Sequence, residues 1–430
     1  MRLHFFNSQF DGKDLFNLVI KKTSRITENV LQKTYLGFIV IKPLPKTFIG
    51  RTCLKVYESD EGRRHYPVIC QTPVHLLGID IPIDSIPVQE QDTVAAACAT
   101  SALWSMFHGT GKLFQHHIPS PIEITKTAIE NFPSVGRGLP NFGLEIRQIC
   151  QAIRKVGLEN DFRVTYIPSL MKNIIYGYLN GKIPLLLILA VYDIKDLTNV
   201  GPILRGHHAV AVTGYSIGLS SCEPVPETGT LFRSTRIDKI YVHDDQIGPF
   251  ARLNFTNDSI AGVLPVAEGY PPIIMKSPKE NIVYVPESII IPLYHKIRIP
   301  LEVVQQDAVM NIDLGIKGNM AKDEELKNKN IEWDVYLTMI GDLKKDLREN
   351  YHGVLPQMDL WQILEKPLPR FIWRAIARID NKPVLEFWFD ATDIEQGNYN
   401  LQMVAYDPDF LARISRIPNN YLQRARFIPV

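Results

Sequence analysis

The sequence predicts an α+β chain: a helical part followed by an antiparallel sheet, flanked by a β-rich N-terminal region and an α+β C-terminal region. Three observations point there. Apolar residues fall at helical spacing between about residues 93 and 180. The pattern then changes to short runs rich in β-branched residues, IPLLLILAVY (183–192), HHAVAVTGY (207–215) and IDKIYVHD (237–244). The length of 430 residues exceeds what one ordinary core fills. The boundaries are drawn at 1–85, 86–300 and 301–430.

Each element has its own signal. Residues 1–85 read as mostly strands, in YLGFIVIKPLP, CLKVYES and YPVICQTPVHLLGI, with Pro, Gly and charged turns between. IDIPIDSIPVQEQD (79–92) carries two prolines and reads as an extended linker. Ala99, Ala102, Leu103, Met106 and Phe107 form one apolar helix face. SPIE (120–123) is a capping box with Pro at the first helical position. A third helix carries Leu144, Ile149, Cys150, Ile153 and Val156 on one stripe and stops near Gly157. A fourth begins at Ser169 and ends at the Asn180–Gly181 turn. The polar stretch 216–236 reads as a loop or small hairpin, and 245–300 as short strands with many prolines. In the tail, IEWDVYLTMI resembles a strand and GDLKKDLREN a charged helix. FIWRAIARIDNKPVLEFWFDAT reads as a hairpin turning at Asn381–Lys382. Asp390, Trp361, Trp373 and Trp388 are assigned to packing of that tail.

Composition removes several classes of function. Apolar residues make up 45% and charged residues 22%, as in a globular protein. The net charge of +1 is dispersed, which argues against a dedicated nucleic-acid binder. The longest strongly apolar run, 183–192, falls far short of the roughly 20 residues that span a bilayer. MRLHFFNSQFDGKD has no charged start followed by an apolar core, so no secretory signal is expected. The five cysteines, Cys53, Cys70, Cys98, Cys150 and Cys222, are an odd count with no CxxC pair. That spacing suits neither zinc nor a disulfide framework and fits a reducing cytoplasm. Cys53, Cys70 and Cys150 read as buried thiols, and Cys222 as exposed. His108, His116 and His117 lack a matching carboxylate or Cys cluster and read as solvated or helix-end residues. No cofactor and no metal are expected.

Chemistry concentrates in two segments, QDTVAAACATSALWSMFH (91–108) and GHHAVAVTGY (206–215), with the strand after the second. A thiol attacks a carbonyl only as thiolate. Cys98 lies just ahead of a helix, whose unpaired N–H groups and dipole stabilise a negative sulfur. His208 opens an apolar strand, where its ring can take the thiol proton. Asp244 ends the next strand, where a carboxylate would fix the imidazole tautomer. His207 competes with His208 but points to the opposite strand face. His243 and Asp245 likewise face away from Asp244 in a regular strand. Asp245 takes the role if the strand ends early.

A helix-borne Cys, then HAVAVTGY, then a strand ending in Asp resembles the papain-like cysteine peptidases. HAVAV followed by GY is close to the segment around the catalytic His of that family. GKIPLLLIL (181–189), feeding the His strand, is similar in layout to the bacterial double-glycine leader peptidases. The resemblance covers about residues 86–255. It implies a papain-like domain with Cys98 as nucleophile, His208 as base, Asp244 as orienting acid and Gln91 as oxyanion donor. Gln91 stands seven residues before Cys98, one more than usual, which leaves Gln89 as an alternative. Ala99 stands where the family has Gly or Ser, and 216–236 lengthens the gap between His and Asp. The implied activity is hydrolysis of a peptide or isopeptide bond in a protein or peptide substrate, in a bacterial cytoplasm. The flanking regions would select that substrate or dock a partner protein, with no nucleic acid or membrane involved. The same residues would serve a transglutaminase-like acyltransferase or a non-catalytic papain-like binding module.

Overall fold

The strand Leu185–Asp193 closes a barrel. It pairs antiparallel with Ile203–Ile217 on one side and with Ile282–Leu293 on the other. Ile237–Asp244, Gly248–Thr256 and Ile274–Lys276 complete a ring of six strands. The computed structural model describes residues 1–44, 47–90, 98–131, 143–197, 199–351, 357–394 and 400–414. Leu185, Leu186, Leu187 and Leu189 are fully buried, so both faces of that strand are covered. This is why its sequence is an unbroken apolar run and not an alternating one. The expected α+β class holds, and the expected antiparallel sheet is a closed barrel. Glu159–Val164 pairs with residues 288–293 of Ile282–Leu293, and Arg64–His65 with the end of Ile203–Ile217, beyond the ring.

The chain forms two compact units. The first comprises Met1–Tyr166, Lys182–Ser216 and Asp238–Leu293; the second comprises Ile167–Gly181, Ile217–Ile237 and Tyr294–Val430.

The first unit opens with an antiparallel sheet of Arg2–Phe6, Tyr35–Ile41 and Ile49–Leu54. Two helices, Gly12–Val19 and Glu28–Thr34, lie in the region read as mostly strands. Their caps stand in the sequence: Asp11 accepts from the Lys13 N–H at 2.8 Å and Thr27 from the Val30 N–H at 3.3 Å. Both helices are too short to show a clear apolar period. The stretch read as a linker is extended, but it is packed. Ile79, Ile81 and Ile83 share a core with Phe38 and Cys53, and Thr52 and Val88 exchange backbone hydrogen bonds at 2.7 and 3.0 Å. Three helices follow: Cys98–Phe114, Pro121–Ile129 and Ile146–Lys155. The capping box of the second is formed, with the Ser120 N–H donating to Glu123 at 2.7 Å.

The fourth expected helix, Pro168–Asn180, belongs to the second unit. That unit's sheet runs Leu231–Phe232, Glu332–Met339, Phe371–Ile379, Lys382–Asp390, Asn400–Ala405. The stretch 216–236 is thus more than a loop or hairpin: it lends this sheet a parallel edge strand. Buried Asp313 pins it, accepting from the Thr230 hydroxyl and the Trp333 indole N–H, each at 2.8 Å. The hairpin turns at Asp380 and Asn381, with φ of 51° and 65°, one residue earlier than expected. Trp373 and Trp388 are fully buried, whereas Trp361 is 59% exposed. Among the described residues no helix is long and apolar enough to cross a membrane.

Candidate active site

Cys98 is the first residue of Cys98–Phe114, and it is half-buried. The expected face of Ala99, Ala102, Leu103, Met106 and Phe107 is buried. Gly109 lets this helix approach the barrel: a Cβ there would lie 3.1 Å from Pro184 Cγ, one residue before the first barrel strand. The described part of this helix begins at Cys98 and is seated against the sheet.

His208 lies opposite Leu189 in the barrel ladder. Its ring is 4% exposed and stacks near Tyr284, with centroids 6.4 Å apart and planes at 27°. Nε2 is 3.2 Å from Asp244 Oδ1 and 3.5 Å from Asp245 Oδ1. The closer contact, to Asp244, is polar and charge-assisted. With Nε2 turned to the carboxylates, Nδ1 is the ring nitrogen left for the thiol. Burial would lower the proton affinity of this ring. Hydrogen bonding to Asp244 and to Cys98, with the charges of both, outweighs it and raises the pKa to about 10. Asp244 is also desolvated, which would raise its pKa. Contact with His208 and the Gln246 N–H, which donates to Oδ1 at 2.8 Å, holds it below the usual carboxylate range.

The expected Cys98, His208 and Asp244 thus come together in the first unit. Gln91 lies outside the described residues. Gln89 sits between Val88 and Glu90, whose backbones are tied to Thr52 and Ile49 of the N-terminal sheet. His207 points away, 59% exposed and 3.3 Å from Glu287, as strand alternation requires. His243 is buried against Phe250, at 4.8 Å, on the face away from Asp244. Burial lowers its pKa to about 3.

Several readings of single residues change. His108 is half-buried in mid-helix, not solvated: its ring meets Trp104 edge-on at 4.6 Å, and desolvation lowers its pKa to about 4. Cys70 and Cys150, read as buried, are half-buried. Cys222, read as exposed, is buried, and its pKa rises to about 12 through burial and the nearby Glu332. Asp245 is the alternative carboxylate if the strand ends early, and the strand does end at Asp244. Tyr284 is not singled out by sequence; it reaches the ring only because the barrel closes.

His208, Asp244 and Asp245 each offer a potential ligand atom within 4.8 Å of the others. Asp244 Oδ1 already accepts a backbone N–H, and His208 is shared with Cys98. The arrangement presents an oriented imidazole beside two buried carboxylates. An imidazole that keeps a proton beside a thiol favours the thiolate, the nucleophilic form. No family model matches this chain, and no curated protein sequence matches it.

Proposed function

We propose that the first unit carries a papain-like cysteine peptidase site, with Cys98 as nucleophile, His208 as acid and base, and Asp244 as orienting carboxylate. One observation supports this above the others: His208 is coupled at once to the Cys98 thiol and to a buried carboxylate. The reaction begins with the Cys98 thiolate attacking the carbonyl carbon of a peptide or isopeptide bond. A C–S bond forms and the carbonyl electron pair moves to oxygen. The oxyanion is held by N–H groups at the helix start and by Gln91. Collapse breaks the C–N bond, and the His208 imidazolium gives its proton to the leaving amine. Neutral His208 then takes a proton from water, which attacks the thioester and breaks the C–S bond. These steps need no cofactor. The substrate is a protein or peptide, the setting is a bacterial cytoplasm, and the regions outside the site select the substrate or dock a partner.

The test is hydrolysis of a peptide library by the full chain, followed by product mass. Cleavage lost in Cys98→Ala supports the proposal. Products that gain an added amine in place of water reassign the site to acyl transfer. A Cys98 that reacts with iodoacetamide no faster than an unfolded-chain thiol at neutral pH makes the unit a binding module and overturns the peptidase reading.

A further inference from the structure

We infer that Asp245 is a second positioning carboxylate for His208, so that two consecutive acidic residues, not one, bracket the imidazole. The argument starts from strand geometry. Successive residues of a regular strand face opposite ways, so Asp244 and Asp245 should not reach one ring. The pairing of Ile237–Asp244 with Gly248–Thr256 runs Lys239↔Asn254 to Val242↔Ala251, then shifts register before Asp244↔Gly248. The strand ends at Asp244 and Asp245 opens the turn, so alternation no longer governs it. Both Oδ1 atoms come within 3.5 Å of Nε2. The Gln246 N–H fixes Asp244, and Lys279 donates to the Gln246 side chain at 2.9 Å, bracing the turn.

Two buried carboxylates against one imidazole hold its plane more tightly than one. They also favour the imidazolium over the neutral ring throughout turnover. The groups facing this cluster are Cys98, His208, Asp244, Lys279 and Tyr284. The two acids are not equivalent. Asp244 stays ionised, whereas burial raises the pKa of Asp245 to about 6, against the pull of His208 and with the push of Asp244. The charge on the ring's carboxylate side therefore steps between mildly acidic and neutral pH, which sets how firmly the proton is held.

This inference rests on His208 being the partner of Cys98, but its test reads the ring itself. In the full chain with carbon-13 labelled histidine, the His208 Cε1 resonance is titrated in wild type, Asp245→Asn and Asp245→Glu. Asp245→Asn is expected to lower the His208 midpoint by about 1 to 3 pH units, and Asp245→Glu to restore most of it. A midpoint unchanged in Asp245→Asn, with only thermal stability reduced, overturns the inference. Should Asp245→Asn not fold, the coupling is read in His208→Gln from the Asp245 Cγ resonance. Loss of the cation is expected to raise that carboxyl's midpoint, and an unmoved midpoint overturns the inference. An unreactive Cys98 would defeat the peptidase proposal and leave this measurement intact.

Discussion

His208 and Asp244 meet with Nε2 3.2 Å from Oδ1, the imidazole 4% exposed and the carboxylate sealed from solvent. A protonated imidazole in that setting stabilises the fold. Its pKa rises from 6.5 to about 10, so its contribution is fully present below pH 6.5 and is lost as pH rises through 10. Unfolding in denaturant at pH 7 and pH 10 is expected to show lower stability at the higher pH. The difference should shrink in His208→Gln.

Reactivity at Cys98 follows from the same pair. Losing the imidazole removes the proton acceptor beside the sulfur, and only a thiolate is alkylated. Alkylation of Cys98 by iodoacetamide at pH 6.5 is expected to slow by on the order of 100-fold in His208→Gln. Mass spectrometry of the Cys98 peptide gives the rate, and equal rates would remove the ion pair from the scheme.

His108 and His243 act with the opposite sign. Desolvation lowers their pKa values to about 4 and about 3; Arg51 adds to the effect at His108, and His108 adds to it at His243. The unfolded chain binds protons at these positions near pH 6.5, so the stability they contribute is present above that pH. It is lost as pH falls towards 4, at roughly 1.4 kcal/mol per pH unit for each group. Thermal midpoints measured from pH 7 down to pH 4.5 are expected to fall. His243→Phe, which removes a ring whose nitrogens lack aligned partners, should flatten that slope.

In the second unit, Arg374 is tied to Glu386 at 2.5 Å and to Asp346 at 2.6 Å, with Arg374 and Glu386 both buried. Glu386 also accepts from the Trp388 indole at 2.6 Å and from the Tyr406 hydroxyl. Arg374→Met strands a buried carboxylate and is expected to cost about 3–5 kcal/mol. Pairing it with Glu386→Leu should recover part of that loss in a denaturant melt, since no uncompensated charge remains.

Gly37 stands in the central strand of the N-terminal sheet with φ of +122°, and a Cβ there would lie 2.1 Å from the Cys53 carbonyl oxygen. Gly37→Ala is therefore strained in backbone and blocked by a rigid neighbour. A loss of more than about 2 kcal/mol is expected on chemical unfolding, because the clashing atom belongs to a paired strand.

By itself the sequence determined which side chains could form a thiol site and the elements that carry them. Cys98 at a helix start, His208 on an apolar strand and Asp244 at a strand end follow from periods of 3.6 and 2, which are local properties. The strand period put His207 and His208 on opposite faces, and the HAVAV resemblance favoured His208. These periods missed the helices Gly12–Val19 and Glu28–Thr34, whose caps are present but whose apolar faces are too short to register. Tertiary structure alone decided the rest. Pairing of Leu185–Asp193 with Ile282–Leu293 closes the barrel and brings Tyr284 beside the His208 ring. That contact joins strands distant in sequence, so no local pattern announces it. Past the end of its strand, Asp245 reaches the same imidazole. Strand alternation assigned it to the other face unless the strand ended early; where the strand ends, at Asp244, depends on the partner strand.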